Sequence, residues 1–324
     1  MSASETVTLQ DVLEARRRIG DRLWVTPLDL SMDLSQNGTA VYLKLECQQK
    51  LRSFKARGAL NKISSLTPEE KARGVLTVSS GNHGAGVALA SRLEGVKKAL
   101  VYVPESTPKA NTDKIAFYGG SVVRAGRDYD ACHAIAMKAL EREGLTFVDP
   151  CSDVEVIAGQ GTIGLEILEQ EPDIDTIVVP IGGGGIITGI AVAAKAKKPG
   201  IRIFGVQTAA CPAMAASLRD HTCYEEYPIG ESVCDALVGG VGRIGYEMAP
   251  QCIDEVLVVE EEDIKAATAR LIARDKVLTE CAGAVGAAAV RRNWSLFCGH
   301  KVAVVVTGGN IDPGLVSRLL ADHL

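Results

Sequence analysis

The sequence predicts an α/β protein built on open, largely parallel sheets flanked by helices. Three observations lead there. The chain has 324 residues and is 47% hydrophobic, enough for a large core divided between two lobes. Short apolar, β-branched runs recur along it, and longer amphipathic segments separate most of them. The short runs are apolar at successive positions, as strands covered on both faces are.

In chain order, Leu9, Val12, Leu13, Arg16 and Ile19 follow helical spacing behind Thr8, a good N-cap. Strands are predicted at 41–43, 75–78, 99–103, 121–123, 176–179, 201–206, 256–259 and 302–306. Helices are predicted at 84–93, 109–118, 129–143, 157–171, 186–197, 264–273 and 282–293. No repeat or low-complexity linker divides the chain, so a second lobe is expected to be inserted in the first.

Composition excludes several function classes. The net charge is -5, and Arg16-Arg17-Arg18 reads as the solvated face of a helix. No nucleic-acid or membrane partner is therefore expected. The nine cysteines are odd in number, scattered and free of any C-x-x-C pair, which argues against a disulfide framework or a zinc site. Met1-Ser2-Ala3-Ser4-Glu5 has neither a basic start nor an apolar core, so no signal peptide is expected and the chain reads as cytoplasmic.

Four segments carry chemistry. The predicted strand at 176–179 leads into Gly182-Gly183-Gly184-Gly185, and Ile186 opens a helix. Successive backbone N–H groups at a helix start make an anion cradle. Ile187 stands where a dinucleotide fingerprint wants glycine or alanine, and no Gly-Lys-Ser/Thr ending is present. Close packing alone does not call for four glycines in a row. Lys55 lies between Phe54 and Gly58, a setting that suits a partly buried, partly unprotonated amine able to form a Schiff base. Ser79-Ser80-Gly81-Asn82-His83-Gly84 follows a strand and precedes a helix, offering donors for a carboxylate where α/β sheets bind ligands; an N-capping turn is the plainer alternative. Thr307-Gly308-Gly309-Asn310 ends the last strand and by itself reads as a plain strand-terminating turn.

In this order the segments resemble fold-type II pyridoxal-phosphate enzymes, specifically the threonine/serine dehydratase and serine racemase family. Ala158-Gly159-Gln160-Gly161-Thr162 and Glu280-Cys281-Ala282-Gly283-Ala284 also match. The resemblance implies a large discontinuous lobe, 1–74 and 149–324, with a small mobile lobe, 75–148, carrying the asparagine loop. It implies that Lys55 holds pyridoxal 5'-phosphate as a Schiff base and that Phe54 packs on the cofactor ring. Asn82 would bond the 3-oxygen, Gly182, Gly183, Gly184 and Gly185 would cradle the phosphate, Thr307 would face the ring nitrogen and Glu280 would lie near the ring edge. Ser79, Ser80, Gly81, Asn82 and His83 would hold the substrate, with Lys55 then serving as general base.

The implied activity is β-elimination of water from threonine, serine or a bulkier or acidic 3-hydroxy amino acid, giving a 2-oxo acid and ammonia. The alternative is racemisation, with Lys55 and Ser80 on opposite faces of the cofactor; a carboxylate-binding role for Ser80 is equally open. The resemblance also implies a homodimer of catabolic type, without a regulatory domain.

Three departures stand out. Leu51-Arg52 replaces Thr-Gly before the lysine segment, and Arg52 could face solvent, an interface or substrate. Cys234-Asp235-Ala236 replaces Ala-Asp-Gly. Gln207 and Ala213 stand where relatives activated by a divalent cation carry acids, so no metal is expected.

Overall fold

In the computed structural model, which describes residues 6–324, the chain folds around two sheets. The first five residues, on which the signal-peptide expectation rests, lie outside the described part. The strands are β1 (Leu28–Leu30), β2 (Ala40–Lys44), β3 (Val75–Val78), β4 (Ala99–Val103), β5 (Ser121–Arg124), β6 (Thr146–Phe147), β7 (Thr176–Pro180), β8 (Arg202–Thr208), β9 (Glu255–Val259) and β10 (Lys301–Val305). Six form a sheet in the order β1-β2-β10-β7-β8-β9, and four form another in the order β5-β4-β3-β6. Every pairing is parallel except that of β1 with β2 at the edge. The expected fold class is the one observed.

The central strand β10 shows why the runs are continuously apolar. Its Val302 and Val304 enter one core with Val285 and Ala289, while Ala303 and Val305 enter the other with Val12, Ile157 and Ile190. Successive side chains point to opposite faces, so a strand between two helical layers is buried at every position.

All eight predicted strands and seven mid-chain helices are present, within a few residues at each end. The unforeseen elements have local reasons for escaping notice. β1 and β6 are three and two residues long, too short for a period. The six-residue helix Pro68–Arg73 is set by a capping box between Thr67 and Glu70 rather than by an apolar stripe. Helix Arg243–Cys252 contains Pro250, which reads as a breaker from sequence. Pro313–His323 and Ala213–Arg219 were also missed.

The first helix, Leu9–Ile19, is capped as expected. The Asp11 amide donates to the Thr8 hydroxyl at 3.3 Å, and the Thr8 amide donates to Asp11 at 2.8 Å. All three of its arginines form ion pairs, Arg16 with Glu169, Arg18 with Glu155 at 2.6 Å and Arg17 with Glu14 at 3.6 Å. Arg17 is exposed.

One packing detail sets the stage for the site. Helix Lys55–Ser65 crosses helix Val154–Gln170 where Gly58 meets Gly159. A methyl on Gly159 would lie 2.6 Å from the Gly58 Cα, so only glycine permits this approach. The Gln160 side chain then accepts the Gly58 amide at 3.2 Å. Gly159 and Gln160 thus fix the helix that starts at Lys55, while Gly161 permits close approach of Val12 and Gly189 instead.

Candidate active site

Lys55 is the first residue of its helix, and the preceding residues are tied to the end of β10. Ser53 bridges Gly308, and the Phe54 amide donates to the Thr307 carbonyl at 3.1 Å. The Lys55 ammonium lies 5.2 Å from the Phe54 ring centre and donates to the Pro150 carbonyl at 2.9 Å. Burial holds the Lys55 amine below its ordinary value, with Cys151 and Asp149 opposing more weakly. The half-buried amine next to an aromatic ring, expected from the local sequence, is present.

A short segment gathers three of the sequence motifs. Its Val148 carbonyl meets the His83 Nε2 at 3.1 Å, its Pro150 carbonyl meets Lys55, and Cys151 packs on the glycine loop. A methyl on Gly183 would lie 2.5 Å from the Cys151 sulfur. Burial pushes the Cys151 thiol up to about 12, so it serves as packing rather than as a nucleophile. Asp149 shapes the turn by accepting the Cys151 amide at 2.8 Å. Sequence reasoning missed this segment because its contributions are backbone carbonyls, which leave no residue signature. Asp149-Pro150 was the available turn signal.

Gly184 has φ +94°, a conformation that side-chain-bearing residues rarely adopt, and caps helix Gly185–Lys197. The amides of Gly185, Ile186 and Ile187 begin that helix and have no intrahelical acceptor. The Ala236 carbonyl lies 3.2 Å from where a Gly182 side chain would start, so the Cys234-Asp235-Ala236 departure borders the cradle. A Cβ at any of the four positions would meet protein atoms within 3.2 Å, so the loop stays all glycine and its backbone N–H groups carry no flanking side chains; that donor set suits a dianion. The residues present therefore fit pyridoxal phosphate.

The asparagine loop caps helix Asn82–Leu93 through Gly81. The Asn82 side-chain amide donates to both Glu280 oxygens, at 3.1 and 3.3 Å, and its oxygen accepts from Asn310 at 2.7 Å. These contacts span the two sheets' elements. Burial raises the Glu280 carboxyl, while hydrogen bonds from Asn82 and the Asn310 amide oppose the shift. Ser79 accepts the Gly81 amide at 3.3 Å. The Ser80 and Thr307 hydroxyls make no hydrogen bond among the described residues.

His83 is placed differently from the expectation of a ligand-facing ring. It is 3% exposed, its Nε2 is held by Val148, and its Nδ1 has no partner. Burial, and then the Lys55 charge, lower it to about 4, so the ring is neutral. What residue 83 offers a carboxylate is its backbone N–H in the first turn of the helix.

Leu51 and Arg52 have φ of 57° and 60°, two consecutive left-handed residues. The Asn310 side-chain Nδ2 donates to their carbonyls at 3.0 and 3.2 Å, and the Gly309 backbone N–H donates to the Arg52 carbonyl at 3.0 Å. The Arg52 side chain is exposed and makes no ion pair among the described residues. Gln207 uses its side-chain oxygen to accept the Ala215 amide at 3.0 Å. A further residue, unnoticed in the sequence, is Lys114, whose ammonium lies 3.4 Å from the Asn82 oxygen.

Known proteins resemble this chain in sequence and in fold. The L-threonine ammonia-lyase of Thermotoga maritima is 42% identical over 97% of this chain and 78% of its own length. The catabolic L-threonine dehydratase of Escherichia coli is 38% identical over 97% of this chain and 96% of its own. The structure of maize serine racemase superposes with a TM-score of 0.91 at 32% identity, covering 98% of each chain. Residues 19–308 match the model of one family, and with those relatives the match places this chain among the pyridoxal-phosphate dependent enzymes.

Proposed function

We propose that the chain removes water from a 3-hydroxy amino acid, L-threonine or L-serine by default, to give a 2-oxo acid and ammonia. The observation that carries this reading is the convergence of Lys55, the His83 helix start and the glycine cradle on Val148 to Cys151. Kinship with ammonia-lyases and dehydratases supports the reaction class. Pyridoxal phosphate, when bound, supplies the electron sink for breaking the Cα–H bond.

The chain's own residues do the rest. Gly182 to Gly185 would hold the phosphate through backbone N–H groups, and Asn82 would bond the ring oxygen. Thr307 would offer the ring nitrogen a hydroxyl instead of a carboxylate, which would leave that nitrogen largely unprotonated and favour elimination over transamination. The substrate carboxylate binds the first-turn amides after Gly81, with Ser79 and Ser80 beside them. The Lys55 Nζ, lowered by burial, takes the α-proton as general base. Lobe 75–148 closes on the rest of the chain to exclude water. A homodimer and a cytoplasmic location belong to the same reading and are checked by sedimentation and cell fractionation.

A second reading, racemisation, is favoured by one observation: the Ser80 hydroxyl is free of protein partners and could return a proton to the opposite face of Cα. One assay tests both. The loaded enzyme is given L-threonine, L-serine and 3-hydroxyaspartate, with 2-oxo acid, ammonia and the remaining enantiomers measured. Ammonia equal to substrate lost supports the lyase. D-serine without ammonia supports the racemase, and no turnover of any substrate ends the lyase reading.

A further inference from the structure

Lys114 sits on helix Lys109–Phe117, half-buried, with its ammonium turned to the asparagine loop. Its single hydrogen bond is the 3.4 Å contact with the Asn82 oxygen, which already accepts from Asn310 at 2.7 Å. Buried Lys44 and half-buried Lys62 and Lys71 each have a carboxylate in contact, Glu166, Asp153 and Glu94, at 2.6 Å. Half-buried Lys198 donates to the carbonyls of Pro172 and Ile174. Lys114 has neither a carboxylate nor a backbone carbonyl in contact, and forms no ion pair, among the described residues. Glu280 faces it across the cleft but receives Asn82 and the Asn310 amide instead. On its own helix, Asp113 is paired with Lys109 at 2.5 Å, and both are exposed. From neighbouring elements, Arg92 bonds the Phe117 carbonyl and Arg124 the Glu105 and Thr107 carbonyls. An ammonium drawn out of water without a counter-ion is costly, and burial brings Lys114 down to about 8 against the opposing pull of Glu280.

An anion bound at Asn82 would complete the pair. We propose that Lys114 is a second functional lysine, the counter-charge for the ionised ring oxygen of pyridoxal phosphate held at Asn82. The proposal rests on the reading above that puts this oxygen against Asn82. The Glu280 carboxylate beside Asn82 disfavours an ionised oxygen there, and Lys114 offsets it. The ammonium favours the form of the Lys55-bound cofactor in which the oxygen is ionised and the Schiff-base nitrogen, not the ring nitrogen, carries the proton. The uncharged form, with the proton on oxygen, is disfavoured. Lys114 thereby positions charge without itself moving a proton.

The two forms absorb differently, so the test is spectroscopic. Wild type, Lys114→Gln and Lys114→Arg are loaded with pyridoxal phosphate and their visible and near-ultraviolet bands compared. In Lys114→Gln the ratio of visible to near-ultraviolet absorbance falls by roughly tenfold, the equivalent of one unit of pKa. Lys114→Arg keeps the wild-type ratio. Lys114→Met provides a second neutral variant if the glutamine protein does not fold. An unchanged ratio in the neutral variant overturns the proposal. So does an unchanged ratio with a raised KM, which would assign Lys114 to the substrate carboxylate. A wild-type protein with neither band overturns the assignment of Lys55, and this proposal with it, as do bands unchanged in Lys55→Ala; a wild-type near-ultraviolet band without a visible one overturns this proposal alone.

Discussion

Lys55 and Arg57 stand two residues apart at the start of one helix, and their surroundings are opposites. Arg57 turns inward to a fully buried cluster. It donates to Glu46 twice, at 2.8 Å, and to Glu166 at 2.6 and 2.9 Å. Lys44 completes the group by donating to Glu166 at 2.6 Å, to the Thr26 carbonyl at 2.7 Å and to Gln170 at 2.8 Å. Two cations face two carboxylates, and burial against the Arg57 charge is more than offset by Glu46 and Glu166.

The cleft cluster around Lys55 has no such balance. Lys55 and Lys114 touch neutral oxygens, and Glu280 receives two amides but no cation in contact. Its two lysines are held down and its acid is held up, chiefly by burial. Matched buried charges fix a helix in place. Unmatched ones wait for a ligand, which is why perturbed groups gather at sites of chemistry.

Substitutions should separate the two clusters. Lys55→Ala removes the Schiff-base amine and the general base together. A loss of turnover of at least roughly 10³-fold is expected, with the visible cofactor band gone and thermal unfolding of the cofactor-free protein little changed. Turnover near wild type would return Lys55 to the status of a packing residue.

Glu46→Ala should do the reverse. Leaving Arg57 half-paired in the interior costs about 3–5 kcal/mol, read as a lowered denaturation midpoint, while the cofactor band survives in the folded fraction. A near-neutral result would mean that the interior cluster contributes little to holding the helix.

His83 gives a pH test of the boundary between them. Its folded value of about 4 lies below the ordinary 6.5. The unfolded chain therefore binds its proton first as pH falls. The stability from a neutral His83 is complete above about pH 6.5 and is lost progressively between 6.5 and 4, amounting to roughly 3 kcal/mol. Urea midpoints measured across this window should fall with pH in wild type and fall less steeply in His83→Gln.

The smallest effect is expected at Arg52. Its left-handed backbone is strained for a residue with a side chain, and its guanidinium is exposed. Arg52→Gly should raise stability by up to about 1 kcal/mol in a thermal melt. A destabilised Arg52→Gly would show that the arginine makes a contact worth more than the strain, as at a subunit interface.

Much of this was legible in order along the chain. The glycine cradle and Lys55 are local: a strand, a turn and a helix start within a few residues carry the whole signal. Asn82 was equally visible as the polar end of a strand. His83 was legible as a site residue but not in orientation, because which way a ring turns depends on a carbonyl 65 positions away. Lys114 carried no signal, since a lysine on an amphipathic helix is ordinary until a second element buries it.

By itself, the sequence determined the α/β class, the continuously apolar strands and the identities of the lysine, asparagine loop and glycine cradle. These follow from periodicity and from short-range backbone chemistry, which a dozen residues can specify. Only the tertiary structure decided which charges are matched. Arg57 meets Glu166 109 positions away, Asn82 meets Glu280 198 positions away, and Lys114 contacts no acid among the described residues. Pairing and burial depend on distances between elements, and the spacing of residues along the chain does not contain them.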